Sequence, residues 1–366
     1  MTAELRYLFG DLSTQQIIAE LPLSGVSMSK KLNEWGTFRG TVYFDTSGID
    51  NRDLASATVP GRNFVTVERD GVPIWDGILW TSTYDSQAKV MNMTGRTYEA
   101  YAEKNIVDVD FVRTGQDQRN IFCDLWRQLQ GPSNRNLNIV IPTGPFDNAV
   151  PRDLSILASE YKTFASGMSA MSDNDDGFDW TITTTKANNQ YVRTLMIGYP
   201  WLGIQNVTSS PLSFDYPGNV LNYYESASMS AAGTHVYLLG AGEGSDMVVG
   251  KAINADLLAT GFKRYDVVDS RKDVEDPYTI GTLAGQLALT RRPPLTIYKV
   301  FMKADLDPVF GSYGLGDAGT FSVVDAKHPD GASTTARVVA WEYRPGSDDN
   351  VDQTELIFQG DELSDD

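Results

Sequence analysis

Residues 212–240 read LSFDYPGNVLNYYESASMSAAGTHVYLLG. The segment opens on a turn, Tyr216-Pro217-Gly218-Asn219, where proline presets one φ and glycine and asparagine tolerate positive φ. Two runs rich in Val, Tyr, Thr and Leu follow, 220–229 and 234–239, separated by Ser230-Ala231-Ala232-Gly233. Such residues fit a pleated, half-buried surface, so the two runs predict a β-hairpin. A similar arrangement stands near the N-terminus, where Val26-Ser27-Met28-Ser29 leads through Gly36 into TFRGTVYF at 37–44. The chain reads as starting one β-domain twice.

A second match strengthens this reading. Phe64-Val65-Thr66-Val67-Glu68, the Asp70-Gly71 turn, a run at 77–84 and a run at 89–94 closed by Gly95 form one series. Phe321-Ser322-Val323-Val324-Asp325, Asp330-Gly331, a run at 337–343 and a run at 354–359 closed by Gly360 form another. Strand order, Asp-Gly turn and closing glycine agree. Many short strands with Gly/Asp turns, here also at Asp76-Gly77 and Asp85-Ser86, mean a barrel or sandwich. The predicted class is mainly β with α+β insertions: two tube-like antiparallel β-barrels in one chain. The first occupies 1–102; the second is split into 209–245 and 295–366.

The intervening pieces differ in texture. Residues 103–208 predict an inserted α+β domain. In it, 120–130 (NIFCDLWRQLQ) places Ile121, Phe122, Leu125, Trp126 and Leu129 on one helical face before Gly131-Pro132. Residues 137–141 predict a strand, 153–171 a second helix, and 178–184 with 191–199 a hairpin around Lys186-Ala187-Asn188-Asn189. Residues 246–294 predict a small helical or mixed insertion. There Asp276 and Pro277 open a helix at 277–292, and Arg291-Arg292 then Pro293-Pro294 end it. A turn is expected at Arg344-Pro345-Gly346-Ser347, and the acidic stretch 360–366 is expected to fray.

Composition narrows the chemistry. The chain has 366 residues, formal charge −18, one cysteine (Cys123) and two histidines (His235 and His328). One cysteine allows neither an intrachain disulfide nor a thiolate cluster, and two distant histidines leave metal and Ser-His chemistry short of parts. Strong negative charge opposes gripping a phosphate backbone; it suits plain solubility or a channel wall past which a polyanion slides. No apolar run approaches the roughly 20 residues of a membrane helix, and the N-terminal MTAELRYLFGDLS lacks the features of a signal peptide. A cytoplasmically made protein with no membrane-spanning segment is expected.

The layout of barrel, α+β insertion and interrupted second barrel resembles the baseplate or tail hub proteins of long-tailed bacteriophages, and more closely the minor tail proteins of actinobacteriophages. The likeness rests on Pro217-Gly218-Asn219-Val220-Leu221 leading to Ser228-Met229-Ser230 and 234–240. It rests also on Gly261-Phe262 before the 277–292 helix, and on Phe9-Gly10-Asp11-Leu12 leading to Ile17-Ile18-Ala19-Glu20-Leu21-Pro22. The 103–205 stretch matches least. The resemblance implies a non-enzymatic structural protein at the virion tail tip, a homotrimer whose six barrels form a pseudo-sixfold ring. Such a ring would adapt the sixfold tail tube to a threefold tip around a channel. Its implied partners are a distal tail protein or tail tube ring, the tape measure protein and other minor tail or receptor-binding proteins, with DNA only in passage. The alternatives are a cell-wall or carbohydrate-active tail enzyme and a receptor-binding adhesion module.

No catalytic, cofactor or metal residue is predicted. Asp173-Asn174-Asp175-Asp176-Gly177 has the acidity of a calcium loop, but Thr184 stands where that loop needs its twelfth-position glutamate. Gly311-Ser312-Tyr313-Gly314-Leu315-Gly316 lacks a Walker lysine and precedes a strand; it reads as a flexible loop. Gly240-Ala241-Gly242-Glu243-Gly244 has no helix start after it and reads as a turn or hinge. His235 reads as a packed or edge residue, Cys123 as core, and Tyr216, Tyr223, Tyr224 and Tyr237 as barrel packing that could otherwise hold sugar.

Overall fold

The computed structural model describes all residues except 1–2, 45–47, 49, 175, 189, 206–211, 231, 273, 292–294, 347–350, 361–363 and 366. Asp175, Asn189, Ala231, Arg292, Pro293, Pro294, Ser347 and much of the acidic tail, all read above, lie outside the described residues. Mainly antiparallel β-structure with a few helices makes up the described chain.

Strands β1 (Leu5–Asp11) and β2 (Ile17–Glu20) flank a turn held by Asp11, whose carboxylate accepts from the Ser13 and Thr14 amides at 2.8 and 3.0 Å. Then come β3 (Ser24–Lys31), β4 (Thr37–Tyr43) and the short helix α1 (Asn51–Ala57). β5 (Asn63–Arg69) and β6 (Val72–Asp85) join through Asp70-Gly71, with φ of 51° and 80°, the left-handed pair that matches strand twist. The other Asp-Gly signal misleads. Asp76-Gly77 lies inside β6, where Asp76 is buried and a Cβ on Gly77 would lie 2.3 Å from Arg96 O. β7 (Val90–Thr97) closes the set, and a 3₁₀ helix at Tyr98–Lys104 follows.

Next come β8 (Phe111–Asp117), α2 (Gln118–Gln130), β9 (Ile139–Val140), β10 (Pro151–Ile156), α3 (Phe164–Ser172), β11 (Asp179–Ala187) and β12 (Gln190–Gly198). The single helix expected at 153–171 is two elements. Leu154 and Ile156 alternate with polar neighbours and pair with β8, whereas the helix starts only at the Thr163 N-cap, which accepts from the Ser166 amide at 3.2 Å. The β11–β12 hairpin forms in the expected place, from Asp179↔Gly198 to Ala187↔Gln190. One largely aromatic core runs from Phe64, Ile78 and Tyr98 into Phe111, Phe122, Trp126, Phe164 and Trp180, so the strands before residue 103 and the elements after it share an interior. Each such side chain contributes about 1.5–3 kcal/mol on burial.

Further along lie β13 (Ser213–Tyr216), β14 (Val220–Ser228), β15 (His235–Leu239), β16 (Val249–Ile253), α4 (Ala255–Ala259), β17 (Asp266–Ser270) and α5 (Pro277–Thr290). The chain finishes with β18 (Leu295–Lys303), β19 (Ala318–Val323), β20 (Ala332–Arg344), β21 (Gln353–Gly360) and β22 (Ser364–Asp365). Two compact units result: 1–223, 300–358 and 363–366 form one, and 224–299 with 359–362 form the other.

The predicted hairpin between 220–229 and 234–239 does not form. β14 neighbours β18 in the large sheet, whereas β15 is the centre of a separate sheet, β16-β15-β17. Alternation marks a strand without naming its partner, and here Gly233 turns the chain away. A Cβ there would lie 2.6 Å from Val267 Cγ2, and the Thr234 amide is taken by Tyr265 O at 3.0 Å. In this smaller unit α5 covers one sheet face with Ile280 and Ala284 against Leu238. The expected cap holds: Asp276 accepts from the Thr279 amide at 2.7 Å, with Pro277 in the first turn. The unit is therefore a sheet with a helix packed on it, richer in strand than a helical insertion.

Candidate assembly surface

The large sheet repeats one strand order. It runs β14-β18-β21-β20-β3-β4-β7-β6-β5-β1-β2, with β19 off that path and paired to β20. From one end, β3-β4-β7-β6-β5 make a set; from the other, β14-β18-β21-β20-β19 make a set in the same order. Each set has a long strand serving two neighbours: β6 pairs β5 and β7, and β20 sits between β19 and β21.

The two sets meet edge to edge. β20 is paired with β19 as far as Ala318↔Arg337, then continues alongside β3 from Ala340↔Lys31 to Tyr343↔Met28. This junction is buried and aromatic. Tyr343 stacks on Phe310 at 4.7 Å, Trp341 meets Phe310 at 5.0 Å, and Trp75 Nε1 donates to Ser29 O at 3.0 Å. Arg69 fastens the site from the first set, its guanidinium donating to Phe310 O at 2.7 Å. The contact is head-to-tail: the long strand of one set against the first strand of the other.

The structure shares its fold with phage tail proteins. It superposes on the 43 kDa tail protein of prophage MuSo2 from Shewanella oneidensis with TM-score 0.63 and 10% identity, over 96% of this chain and 98% of that one. A tail protein from Neisseria meningitidis MC58 gives TM-score 0.63 and 12% identity over 97% of each chain. Prophage tail protein gp18 from Listeria monocytogenes gives 0.54 and 12%, over 98% of this chain and 95% of that one. No protein-family model matches the chain, and no curated protein does.

A second dense polar site joins the β11–β12 hairpin to the N-terminal strands. Three carboxylates, on β5, on β6 and in the 3₁₀ segment after β7, are each engaged by the hairpin. Asp76 accepts from Arg193 Nε at 2.8 Å and from Thr184 at 2.9 Å. Glu68 accepts from Lys186 Nζ and Tyr191 at 2.6 Å each, and Glu99 from the Ile182 amide at 2.8 Å. Arg193 is 1% exposed, sandwiched between Phe64 and Tyr98 at 4.7 and 4.6 Å. Burial is the largest influence and pulls its guanidinium down, but the charges and hydrogen bonds of Asp76 and Tyr98 together outweigh it and leave it raised. Lys30 donates to Ile182 O at 2.7 Å, and burial holds its ammonium below the ordinary range.

Asp173 caps α3, Arg152 Nη2 lies 3.2 Å from Asn174 and 3.4 Å from Asp176, and a Cβ on Gly177 would lie 2.0 Å from Ser172 O. The cluster ends a helix. Among the described residues, no group of three or more His, Cys, Asp and Glu could hold a metal ion. The Gly311–Gly316 loop lines a cavity of about 330 Å³ with Lys30, Trp75, Thr183 and Trp341. Its glycines permit close packing: Gly316 has φ 92°, and its Cβ would lie 2.3 Å from Leu202 O. Gly242 adopts φ 91° in a turn before a short 3₁₀ segment, which Gly244 begins with φ 57°. His235 lies on the central strand of the small sheet, with Nδ1 3.2 Å from Thr234 Oγ1. Cys123 is core. Tyr216, Tyr223 and Phe321 form an aromatic row at 5.3 and 5.6 Å, whereas Tyr224 is 57% exposed. Asn219 locks the turn before β14, donating to Ser213 O and Asp307 O at 2.7 Å.

Proposed function

We propose that this chain is a structural hub of a phage tail tip, a homotrimer in which two tube-like β-barrels per subunit form a pseudo-sixfold ring around a channel. The observation that carries this reading is the strand order made twice in one chain and joined edge to edge. A head-to-tail contact between like units is the kind that closes into a ring when its rotation permits. Two like units per chain give six in a trimer, which suits a joint between sixfold and threefold parts. The first barrel is 1–102, with 103–208 inserted after it. The second barrel takes β14 from the expected 209–245 stretch together with the strands of 295–366; β15, also expected in it, lies in the separate small sheet with the 246–294 interruption. The likeness of fold to phage tail proteins over nearly the whole chain supports the assignment. A formal charge of −18 suits a wall past which DNA slides without sticking. The partners are a distal tail protein or tail tube ring, the tape measure protein, and other minor tail or receptor-binding proteins. The role is non-enzymatic.

Mass photometry across a concentration series, joined to imaging of gold-labelled virions, tests this. The expected result is a species of three chains and label at the tail tip. A chain that stays monomeric and hydrolyses peptidoglycan overturns it.

A further inference from the structure

The start of β12 and the turn between β1 and β2 share a polar cavity of about 630 Å³, whose lining includes Thr14, Gln15, Gln16, Asn138, Gln190 and Arg193. That size falls within the range of about 300–1,000 Å³ usual for small-ligand sites. We propose that this cavity binds a neutral saccharide, with its side-chain amides and the Arg193 guanidinium pairing with the sugar's hydroxyls. The site shares no residue with the β20–β3 junction and does not depend on the number of chains in an assembly.

Arg193 is the buried member of the lining. Its Nε donates to Asp76 at 2.8 Å and its Nη1 to Gln15 Oε1, while Nη2 is buried and meets no acceptor in hydrogen-bonding geometry. A buried N–H without an acceptor is costly, so a ligand oxygen that reaches it is favoured. Gln15 is itself fixed. Its Nε2 donates to Leu12 O at 2.5 Å, and its φ of 60° is a left-handed backbone that glutamine seldom adopts. Asn138 shares that conformation, with φ 55°. Gln16, Asn138 and Gln190 are exposed, and among the described residues their side-chain amides make no hydrogen bond; Gln16 and Asn138 donate only from the backbone. An amide offers both donor and acceptor, as a hydroxyl does, so such a lining matches neighbouring hydroxyls in either sense. Charge points the same way. Arg193 is the one ionised member of the described lining, and Asp76 already balances it. Glu68 stands behind Tyr191, accepting from its hydroxyl at 2.6 Å. A carboxylate or phosphate would therefore meet no net positive charge. The Tyr191 ring, tethered by that bond, adds an apolar face beside the amides.

Saturation-transfer NMR on the full chain tests this, with D-glucose, D-galactose, D-mannose and N-acetyl-D-glucosamine as probes and D-glucuronate as the anionic comparison. Transfer to at least one neutral sugar is expected. Its Kd should rise about tenfold in the double variant Gln16→Ala/Asn138→Ala, which removes two hydrogen-bonding amides. The Kd should not move in Tyr278→Ala, since Tyr278 is 83% exposed and outside the lining. Circular dichroism of both variants should match the parent chain, because neither amide side chain holds the fold. Transfer to none of the four neutral sugars, or to glucuronate alone, overturns the proposal. A neutral sugar whose Kd the double variant leaves unchanged binds elsewhere, and overturns it equally. The chain count read by mass photometry is independent of each of these outcomes.

Discussion

Asp76→Ala is expected to lower stability by about 3–5 kcal/mol, the usual cost of leaving a buried charge without its partner. Asp76 and Arg193 have 2% and 1% side-chain exposure, and their closest approach is 2.8 Å. The carboxylate also accepts from Thr66 at 3.0 Å, Tyr98 at 3.1 Å and Thr184 at 2.9 Å, so alanine strands three hydroxyls along with the guanidinium. Because the pair costs desolvation on both sides, replacing both members by apolar residues recovers much of the loss. Asp76→Leu with Arg193→Met should therefore be more stable than Asp76→Ala alone. Guanidinium unfolding followed by tryptophan fluorescence reads the site, since Trp126 and Trp180 stand in the core shared with Phe64 and Tyr98. A loss below about 1 kcal/mol for Asp76→Ala would mean the pair is wet, and the hairpin is then held by its apolar face alone.

This site was the least legible part of the sequence. Glu68 ends a run that alternates, and Asp76 precedes glycine, so one reads as a solvent-facing strand position and the other as a turn. In the structure every residue of β5 is buried, because the insertion covers the face that alternation assigns to water. Alternation reports one buried face; it is silent about a domain that returns over a hundred residues later to cover the second. The same limit explains the lost hairpin at 220–239, where both strands were visible and their partners were not. Local grammar fared better. The Asp70-Gly71 turn, the α2 face, the β11–β12 hairpin and the Asp276-Pro277 start of α5 rest on neighbours within a few residues, and each is present. The twice-made strand order lay between these extremes: turns and closing glycines exposed it, but the β20–β3 junction has no local signature.

At alkaline pH the larger unit should unfold in one sharp step rather than titrate. Burial raises the phenols of Tyr7, Tyr98 and Tyr343 above their ordinary value of 10.0, and it does the same for the half-buried Tyr191 and Tyr313. Asp352 adds to the effect at Tyr7 and Tyr343, whereas Arg193 opposes it at Tyr98. The sign follows from which state holds the proton. Below pH 10 both states are protonated and the contribution is intact; above it the unfolded chain releases protons that the folded chain keeps. Each buried phenol then removes about 1.4 kcal/mol of stability per pH unit, so Tyr7, Tyr98 and Tyr343 together remove about 4. Against a total of about 5–15 kcal/mol, unfolding precedes ionisation of these groups in the native state. Phenolate absorbance and circular dichroism, followed together, should show the last part of the absorbance rise coincide with loss of native signal. Tyr98→Phe should make the alkaline limb shallower by about one proton. A smooth phenolate titration to completion with the dichroism unchanged would show that water reaches these tyrosines in the folded chain, and the burial of Tyr343 at the junction would have to be abandoned with them.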